Sequence, residues 1–361
     1  MPTYHIHPDI RQAETLPASF YRDAQVFELL RERVFVPSWQ WIGDTSLVPL
    51  PQQLHPFVLL DGFLSEPMLL TRDAQDQLHC LSNVCTHRGN LLAHHPGKAA
   101  GLRCLYHGRR FQLNGRFESM PEFGQAQNFP RPCDHLHRFE LQQWGPFLFV
   151  SMQPAFDFKA VISRMNERIG FLPLHEFRYH STGSKDYLVH AHWALYCDNY
   201  LEGFHIPFVH KDLNDALDYG QYTTEIYEYC NLQIGYADGA EAVFDLPPGH
   251  IDYGRQVAAY YYWVFPNMMF NFYPWGLSVN VVRPLAPNRS RVSFLTYVYD
   301  ESKMDSGAGA RLDKVEREDE FVVEGVQKGM MSRYYRTGRF SPVREQGVHY
   351  FHRLLAKALN A

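Results

Sequence analysis

Two short stretches, Cys85-Thr86-His87 and Cys104-Leu105-Tyr106-His107, each pair a thiol with an imidazole, and sixteen residues separate them. Four such side chains can act on one centre only if two loops are brought side by side and held, so C-x-H followed by C-x-x-H demands a rigid scaffold. Tetrahedral zinc accepts two Cys and two His, but zinc spacings usually keep the Cys together and the His together. Here each loop supplies one of each kind, which argues for another centre and leaves structural zinc as the alternative. The surrounding sequence offers the scaffold. After a first strand at 39–42, short β-like runs at 57–60, 67–71, 78–81, 110–113 and 147–150 alternate with turn residues, including the hairpin signals Asp61-Gly62 and Asn114-Gly115. Both Cys/His stretches fall in turns of this all-β region. Gly101 and Gly108 flank the second one and let backbone N–H groups approach its sulfur.

The rest of the chain reads differently. Residues 1–20 form an extended arm, and Ser19 caps a helix over 21–36 that Pro37 ends. Beyond a linker near 152–157, helices are expected around 157–169, 192–204, 308–336 and 344–360, with strands around 224–236, 257–273 and 275–300. That is an α+β region with helices covering an antiparallel sheet. The expected division is 1–42 as arm and helix packing on the last domain, 43–155 as the all-β domain, and 156–361 as the α+β domain. A net charge of −5 gives no footprint for nucleic acid. Residues 256–282 carry no charge, but Pro266, Asn267, Asn271, Pro274 and Asn280 interrupt them, so two buried strands fit better than a membrane span. The six Cys are too scattered for a disulfide framework, and no apolar run opens the chain, so a cytoplasmic protein is expected.

A second constellation lies in Asp198-Asn-Tyr-Leu-Glu202-Gly-Phe-His205-Ile-Pro-Phe-Val-His210. Glu202 and His205, three apart, share a helix face. Pro207 stops that helix, so His210 returns from the next turn. With 19 His in the chain such a pair arises easily by chance. A carboxylate strengthens it: Asp319 falls on an apolar stripe with Leu312, Val315, Val322 and Val326, where an unpaired charge is costly. Glu316, Glu318, Glu320 and Glu324 sit on the solvated face, with Glu318 the main rival to Asp319. Two His and one carboxylate leave open positions on non-haem Fe(II). The uncharged stretch offers Tyr261, Trp263, Phe265, Phe270 and Phe272 as candidate pocket walls, suited to a quaternary ammonium group or to an aromatic ring.

Taken together, these segments resemble the Rieske non-haem iron oxygenases, alpha subunit, over nearly the whole chain. Such a resemblance implies a Rieske [2Fe–2S] domain followed by a helix-grip-like catalytic domain. It assigns Cys85, His87, Cys104 and His107 to the cluster, and His205, His210 and Asp319 to a mononuclear iron, with O₂ as co-substrate. In the cluster, His on one iron raises the reduction potential above that of an all-Cys centre. Glu202 takes the place of an acidic bridge to a cluster His of a neighbouring subunit, and Asn199 loosely matches an outer Asn. Glu at the bridge is typical of a subgroup resembling carnitine, betaine and choline oxygenases. The resemblance further implies a homotrimer with electron transfer between subunits. The chain carries no G-x-G-x-x-G and no C-x₄-C-x₂-C motif, so a separate NAD(P)H-dependent flavin/iron–sulfur reductase is the expected electron source. The expected reaction is hydroxylation or oxidative N-demethylation of a small quaternary ammonium compound, with ring hydroxylation as the alternative and a pure electron-transfer protein as a distant one.

Metal analysis separates these classes. An oxygenase contains about three iron atoms per two acid-labile sulfides and is brown, an electron-transfer Rieske protein contains equal numbers, and a zinc protein is colourless. Iron and sulfide content, read with the EPR spectrum, decides among them.

Overall fold

The computed structural model describes residues 3–237, 242–304, 307–309 and 312–361. The chain divides into two compact units, one comprising Val36–Ala155 and the other Met1–Phe35 with Phe156–Ala361.

The Val36–Ala155 unit is all β. Its strands are β1 (Gln40–Asp44), β2 (Gln53–Leu59), β3 (Glu66–Arg72), β4 (Leu78–Ser82), β5 (Gly97–Lys98), β6 (Leu102–Arg103), β7 (Arg110–Phe111), β8 (Phe117–Ser119), β9 (Arg138–Trp144) and β10 (Phe147–Ser151). A large antiparallel sheet runs β1-β10-β9-β4-β3-β2-β5, and a small one runs β6-β7-β8. The first Cys/His loop leaves the large sheet after β4, and the second joins β6 to β7 in the small one. Their two Cys are buried in one core with Leu69, Leu81, Leu102, Phe111, Leu113 and Leu136. Beneath the loops lies a buried ion pair: Arg109 Nη2 donates to Asp134 Oδ1 at 2.8 Å. The guanidinium also sits 4.9 Å from the Phe117 ring centroid and 5.4 Å from that of Phe129, where planar Arg gains from stacking. Asp134 accepts further from Arg131 N–H at 2.7 Å, and its carbonyl accepts from the Thr86 hydroxyl at 2.9 Å. Asp134 therefore ties the first Cys/His loop to the small sheet.

The other unit carries β11 (Arg178–Tyr179), β12 (Lys185–Val189), β13 (Thr223–Tyr227), β14 (Cys230–Tyr236), β15 (Val257–Val264), β16 (Met268–Tyr273), β17 (Gly276–Ala286) and β18 (Arg289–Val298). These form an antiparallel sheet ordered β11-β18-β17-β16-β15-β14-β13, with β12 also on β18. Its helices are α1 (Ala24–Leu30), α2 (Phe158–Ile169), α3 (Trp193–Tyr200), α4 (Ile206–Val209), α5 (Lys211–Ala216), α6 (Leu312–Met330) and α7 (Gln346–Asn360). Every residue of β14, β15 and β16 is buried, because helices cover both faces. On one face the Tyr262 hydroxyl reaches the Met165 carbonyl of α2. On the other, Gln233 Nε2 donates to the Tyr200 carbonyl at the end of α3, at 2.7 Å. Between β15 and β16 the chain turns at Phe265-Pro266-Asn267. No described helix is long and apolar enough to cross a membrane.

Several local expectations are corrected. The first helix begins at Ala24 with Asp23 as its cap, its side chain accepting from Gln25 N–H, because residues 17–23 are already committed to turns closed by Phe20, Tyr21 and Asp23 N–H groups. The helix expected over 192–204 stops at Tyr200. Beyond it, Gly203 packs so close to the Tyr222 ring that any Cβ would meet the ring at 2.7 Å. Glu202 and His205 thus sit on a link between helices rather than on one helix face. Pro207 begins α4 instead of ending a helix, as proline is tolerated in a first turn. Of the span expected over 308–336, residues 310–311 lie outside the described residues, and the helix runs from Leu312 to Met330. Its buried positions are Glu316, Val323, Gln327 and Met330, while Val326 is 40% exposed and Phe321 82%. The buried face is therefore rotated from the apolar stripe, and Glu316 is inside rather than on the solvated face.

Asp134 generates a stability prediction. Burial works to raise its pKa, but the Arg131 N–H and the Arg109 guanidinium outweigh it and hold the carboxyl below its usual range. A depressed folded-state pKa contributes stability that is present above the unfolded value and lost as pH falls through the folded one. Asp134→Asn should destabilise this unit by about 3–5 kcal/mol at neutral pH, since it leaves the buried Arg109 charge unpaired. It should also flatten the loss of stability on acidification below about pH 4. Urea melts at several pH values check both.

Candidate metal centres

The two Cys/His loops are folded alike. Gly89 N–H donates to the Cys85 carbonyl and Gly108 N–H to that of Cys104, each at 3.0 Å. Each Cys N–H then donates across its loop, Cys85 to Asn90 O and Cys104 to Arg109 O, both at 2.8 Å. The turns close on Gly89 at φ +73° and Gly108 at φ +76°, a region that glycine enters without steric cost. Gly89, not Gly101, is thus the counterpart of Gly108. It is also legible from the sequence, two residues after His87.

The thiols face inward and the imidazoles outward: Cys85 and Cys104 are buried, His87 is half-buried and His107 is exposed. The two imidazole centroids stand 4.8 Å apart. Burial raises the Cys85 thiol, although the His87 N–H points at its sulfur. For Cys104, burial is outweighed by the N–H groups of Tyr106 and His107 and by Asn90, and its pKa is lowered. Backbone N–H groups aimed at sulfur are what a bridged iron–thiolate centre uses to stabilise its charge. Burial, with His107, Arg88 and Arg109 adding positive charge, lowers the pKa of His87 and keeps its imidazole in the neutral form that binds metal. This donor set fits a cluster whose irons are held by two thiolates inside and two imidazoles outside. The remaining Cys are free as well, Cys80, Cys197 and Cys230 buried and Cys133 exposed.

A separate trio lies in the α+β unit. His205 ends the link into α4, His210 joins α4 to α5, and Asp319 projects from α6. One ligand atom from each lies within 4.8 Å of the others. Asp319 Oδ1 is 3.0 Å from His210 Nε2 and 3.5 Å from His205 Nε2. Ligand atoms about 2.1 Å from one ion and at right angles to each other are about 3 Å apart, close to the separations of Asp319 from the two imidazoles, so the trio suits a mononuclear metal. Each imidazole is backed by its own carboxylate: His205 Nδ1 is 2.7 Å from Glu202 Oε1, and His210 Nδ1 is 2.8 Å from Glu318 Oε2. These partners leave Nε2 of both rings free to face Asp319, an outer arrangement typical of metal-binding His. Glu318 therefore lies behind His210 rather than among the ligands. Asn199 Nδ2 donates to Asp319 Oδ1 at 2.6 Å, fixing the carboxylate from α3. Glu202 Oε2 accepts in addition from the N–H groups of Phe204 and His205.

A cavity of about 110 Å³ opens beside the trio. Its floor is one face of the sheet, where Gln233, Tyr261, Asn271 and Ser278 stand side by side on four neighbouring strands. Its walls are Tyr196 and Tyr200 of α3, Tyr222, Tyr273 and Phe294, with Leu312, Val315 and Glu316 of α6. Of the five aromatic residues expected to line a pocket, only Tyr261 does. Phe270 and Phe272 point to the opposite face, since strand side chains alternate, and Phe272 packs on Tyr262 there. Trp263 shares the face of Tyr261 but lies one pair further along, under Phe351 of α7. Phe265 occupies the β15–β16 turn. The residues missed, above all Tyr200, Tyr222, Asn271 and Glu316, carried no local signal, because register and helix rotation bring them together. A neighbouring network was also not foreseen: Tyr21 donates to Asp198 at 2.8 Å, and His352 Nε2 meets the same carboxylate at 2.9 Å.

Comparison with known proteins identifies the family. The sequence model of the Rieske [2Fe-2S] domain matches residues 38–130. That of the ring hydroxylating alpha subunit (catalytic domain) matches residues 175–361. Chloroplastic choline monooxygenase of Arabidopsis thaliana is 30% identical over 96% of this chain and 83% of its own length. The carnitine monooxygenase oxygenase subunit of Escherichia coli (strain K12) is 27% identical over 96% of this chain and 94% of that one. A solved quaternary ammonium Rieske monooxygenase, described in terms of carnitine oxidation by gut microbiota and inter-subunit electron transfer, shares the fold with a TM-score of 0.77 at 23% identity, over 99% of this chain and 100% of that one. The chain therefore belongs to the ring-hydroxylating alpha-subunit family and is a Rieske non-haem iron oxygenase, with a [2Fe–2S] domain followed by a catalytic domain for mononuclear iron.

Proposed function

We propose that the protein oxidises a small quaternary ammonium compound, with Cys85, His87, Cys104 and His107 holding the cluster and His205, His210 and Asp319 holding the mononuclear iron. The observation that carries this reading is the cavity beside the trio, small, rich in Tyr rings and walled by carboxylates. Aromatic faces attract a cationic head group. When bound, the two centres supply stored electrons and activate O₂ for oxidation of a substrate C–H bond.

The protein's own groups then have defined tasks. Asn199 and Glu318 orient Asp319 and His210 through the hydrogen bonds described, and Glu202 does the same for His205. The apolar walls Leu312 and Val315 limit water, while the Tyr rings orient the substrate. Glu202 also has a second role, as the link to the cluster loop of a second copy of the chain. Three observations support an exit through that loop: His107 is exposed, its ring lies 3.7 Å from that of Tyr106, and Leu105 and Tyr106 at the tip are 80% and 63% exposed. The assembly is then a homotrimer, and electrons come from a separate NAD(P)H-dependent flavin/iron–sulfur reductase.

The substrate class is tested by O₂ uptake and product formation with a reductase, across quaternary ammonium and monocyclic aromatic compounds. Turnover confined to the aromatic set overturns the reading. Glu202→Gln should retain three iron atoms per chain yet lower turnover at least about a hundredfold, whereas unchanged turnover removes the bridge role. Glu318→Ala should weaken iron retention at the mononuclear site by about 10–100-fold, with the cluster EPR signal intact.

A further inference from the structure

Glu316 is the cavity carboxylate that has no part in holding the metal trio. It stands on α6 at 2% exposure, one turn before Asp319. Its Oε2 accepts from the Tyr196 hydroxyl, while its Oε1 is buried with no hydrogen-bond partner among the described residues. A buried polar atom left unpaired costs free energy, more so on an ionisable group, and in a native protein it calls for an explanation. The side chain lines the cavity, so what lies in the cavity is the partner available to it.

The surroundings specify the charge of that partner. Tyr200, Tyr222, Tyr261, Tyr273 and Phe294 share the cavity wall with Glu316, and the Tyr261 and Tyr273 rings meet edge to face at 5.9 Å. Among the described lining residues there is no Lys or Arg. Burial pushes the Glu316 carboxyl well above its ordinary range, and Asp319, Glu320 and Asp313 add to the effect. Among the described lining residues, then, no side chain supplies a positive charge to Glu316.

We infer that Glu316 sets the charge selectivity of the cavity: its free Oε1, among aromatic faces, receives a permanently cationic amine head group and discriminates against an uncharged group of the same shape. This rests on the proposed quaternary ammonium substrate and adds the residue that chooses it. Selection of this kind rests on charge: a cation beside the buried carboxyl offsets the cost of ionising it, and an uncharged ligand of the same shape does not. Tyr196 is a positioning residue. By holding Oε2 it turns Oε1 toward the cavity.

The test is calorimetric binding to the iron-loaded protein of choline and of 3,3-dimethylbutan-1-ol, in which carbon replaces the charged nitrogen. Wild type should bind choline at least about tenfold more tightly than the alcohol. Glu316→Gln should weaken choline at least about tenfold while moving the alcohol by no more than about twofold, and Tyr196→Phe should shift choline the same way by a smaller factor. If Glu316→Gln, with native iron content and melting temperature, keeps the wild-type preference, the inference is overturned. Should that variant not fold, Tyr196→Phe decides, and a choline affinity unchanged from wild type in that variant overturns the inference. If wild type binds neither choline nor tetramethylammonium, the proposed substrate class itself fails.

Discussion

Two imidazoles and a carboxylate facing one another within 4.8 Å make a demanding arrangement, and much of the catalytic unit is organised around holding it. The three groups come from the segment after α3 and from α6, which are far apart in sequence. Packing of α3 on α6 brings them together, with Asn199 of one helix hydrogen-bonded to Asp319 of the other. The same contact buries Glu316 against Tyr196 and places the His192 N–H on Gln327 at 2.7 Å. One helix pair thus builds the proposed iron site and the substrate wall beside it. A shift in either helix would disturb both.

Support from behind matters as much as the ligands in front. Glu202 and Glu318 occupy Nδ1 of the two imidazoles and so decide which nitrogen faces inward. The cluster loops reach a similar end by other means, with backbone N–H groups aimed at sulfur and Gly89 and Gly108 closing two similar turns. Beneath them, Asp134 collects Arg109, Arg131 and the first loop through Thr86. The Cys and His side chains of both units sit on links between elements, and polar contacts to regular structure, from Asp134 in one unit and from α6 in the other, hold those links in place.

Much of this was legible locally. The Cys/His spacing and the His205/His210 pair could be read because ligand types at short intervals leave a mark in the chain, whereas Asp319 was set apart only by its place on an apolar stripe. Hairpin signals and alternating runs likewise located most strands and the turn at Pro266. Less legible were features that depend on orientation. The apolar stripe of α6 pointed to Val322 and Val326, yet packing against α3 rotated the helix so that Glu316 and Gln327 lie inside. Aromatic residues at 263, 265, 270 and 272 looked like pocket walls, but register sent them under α7, into a turn, or to the opposite face.

By itself the sequence determined which donors exist, how they pair along the chain, and that an all-β unit precedes an α+β unit. Residue type, spacing and turn chemistry are local properties, and they suffice for those conclusions. Only the tertiary structure decided that Glu318 stands behind His210 while Asp319 stands before it, and that Glu316 enters the cavity with an oxygen unpaired. Adjacent residues on a helix differ by about 100° in direction, so a modest rotation, set by side chains more than a hundred residues away, assigns each of these carboxylates its place.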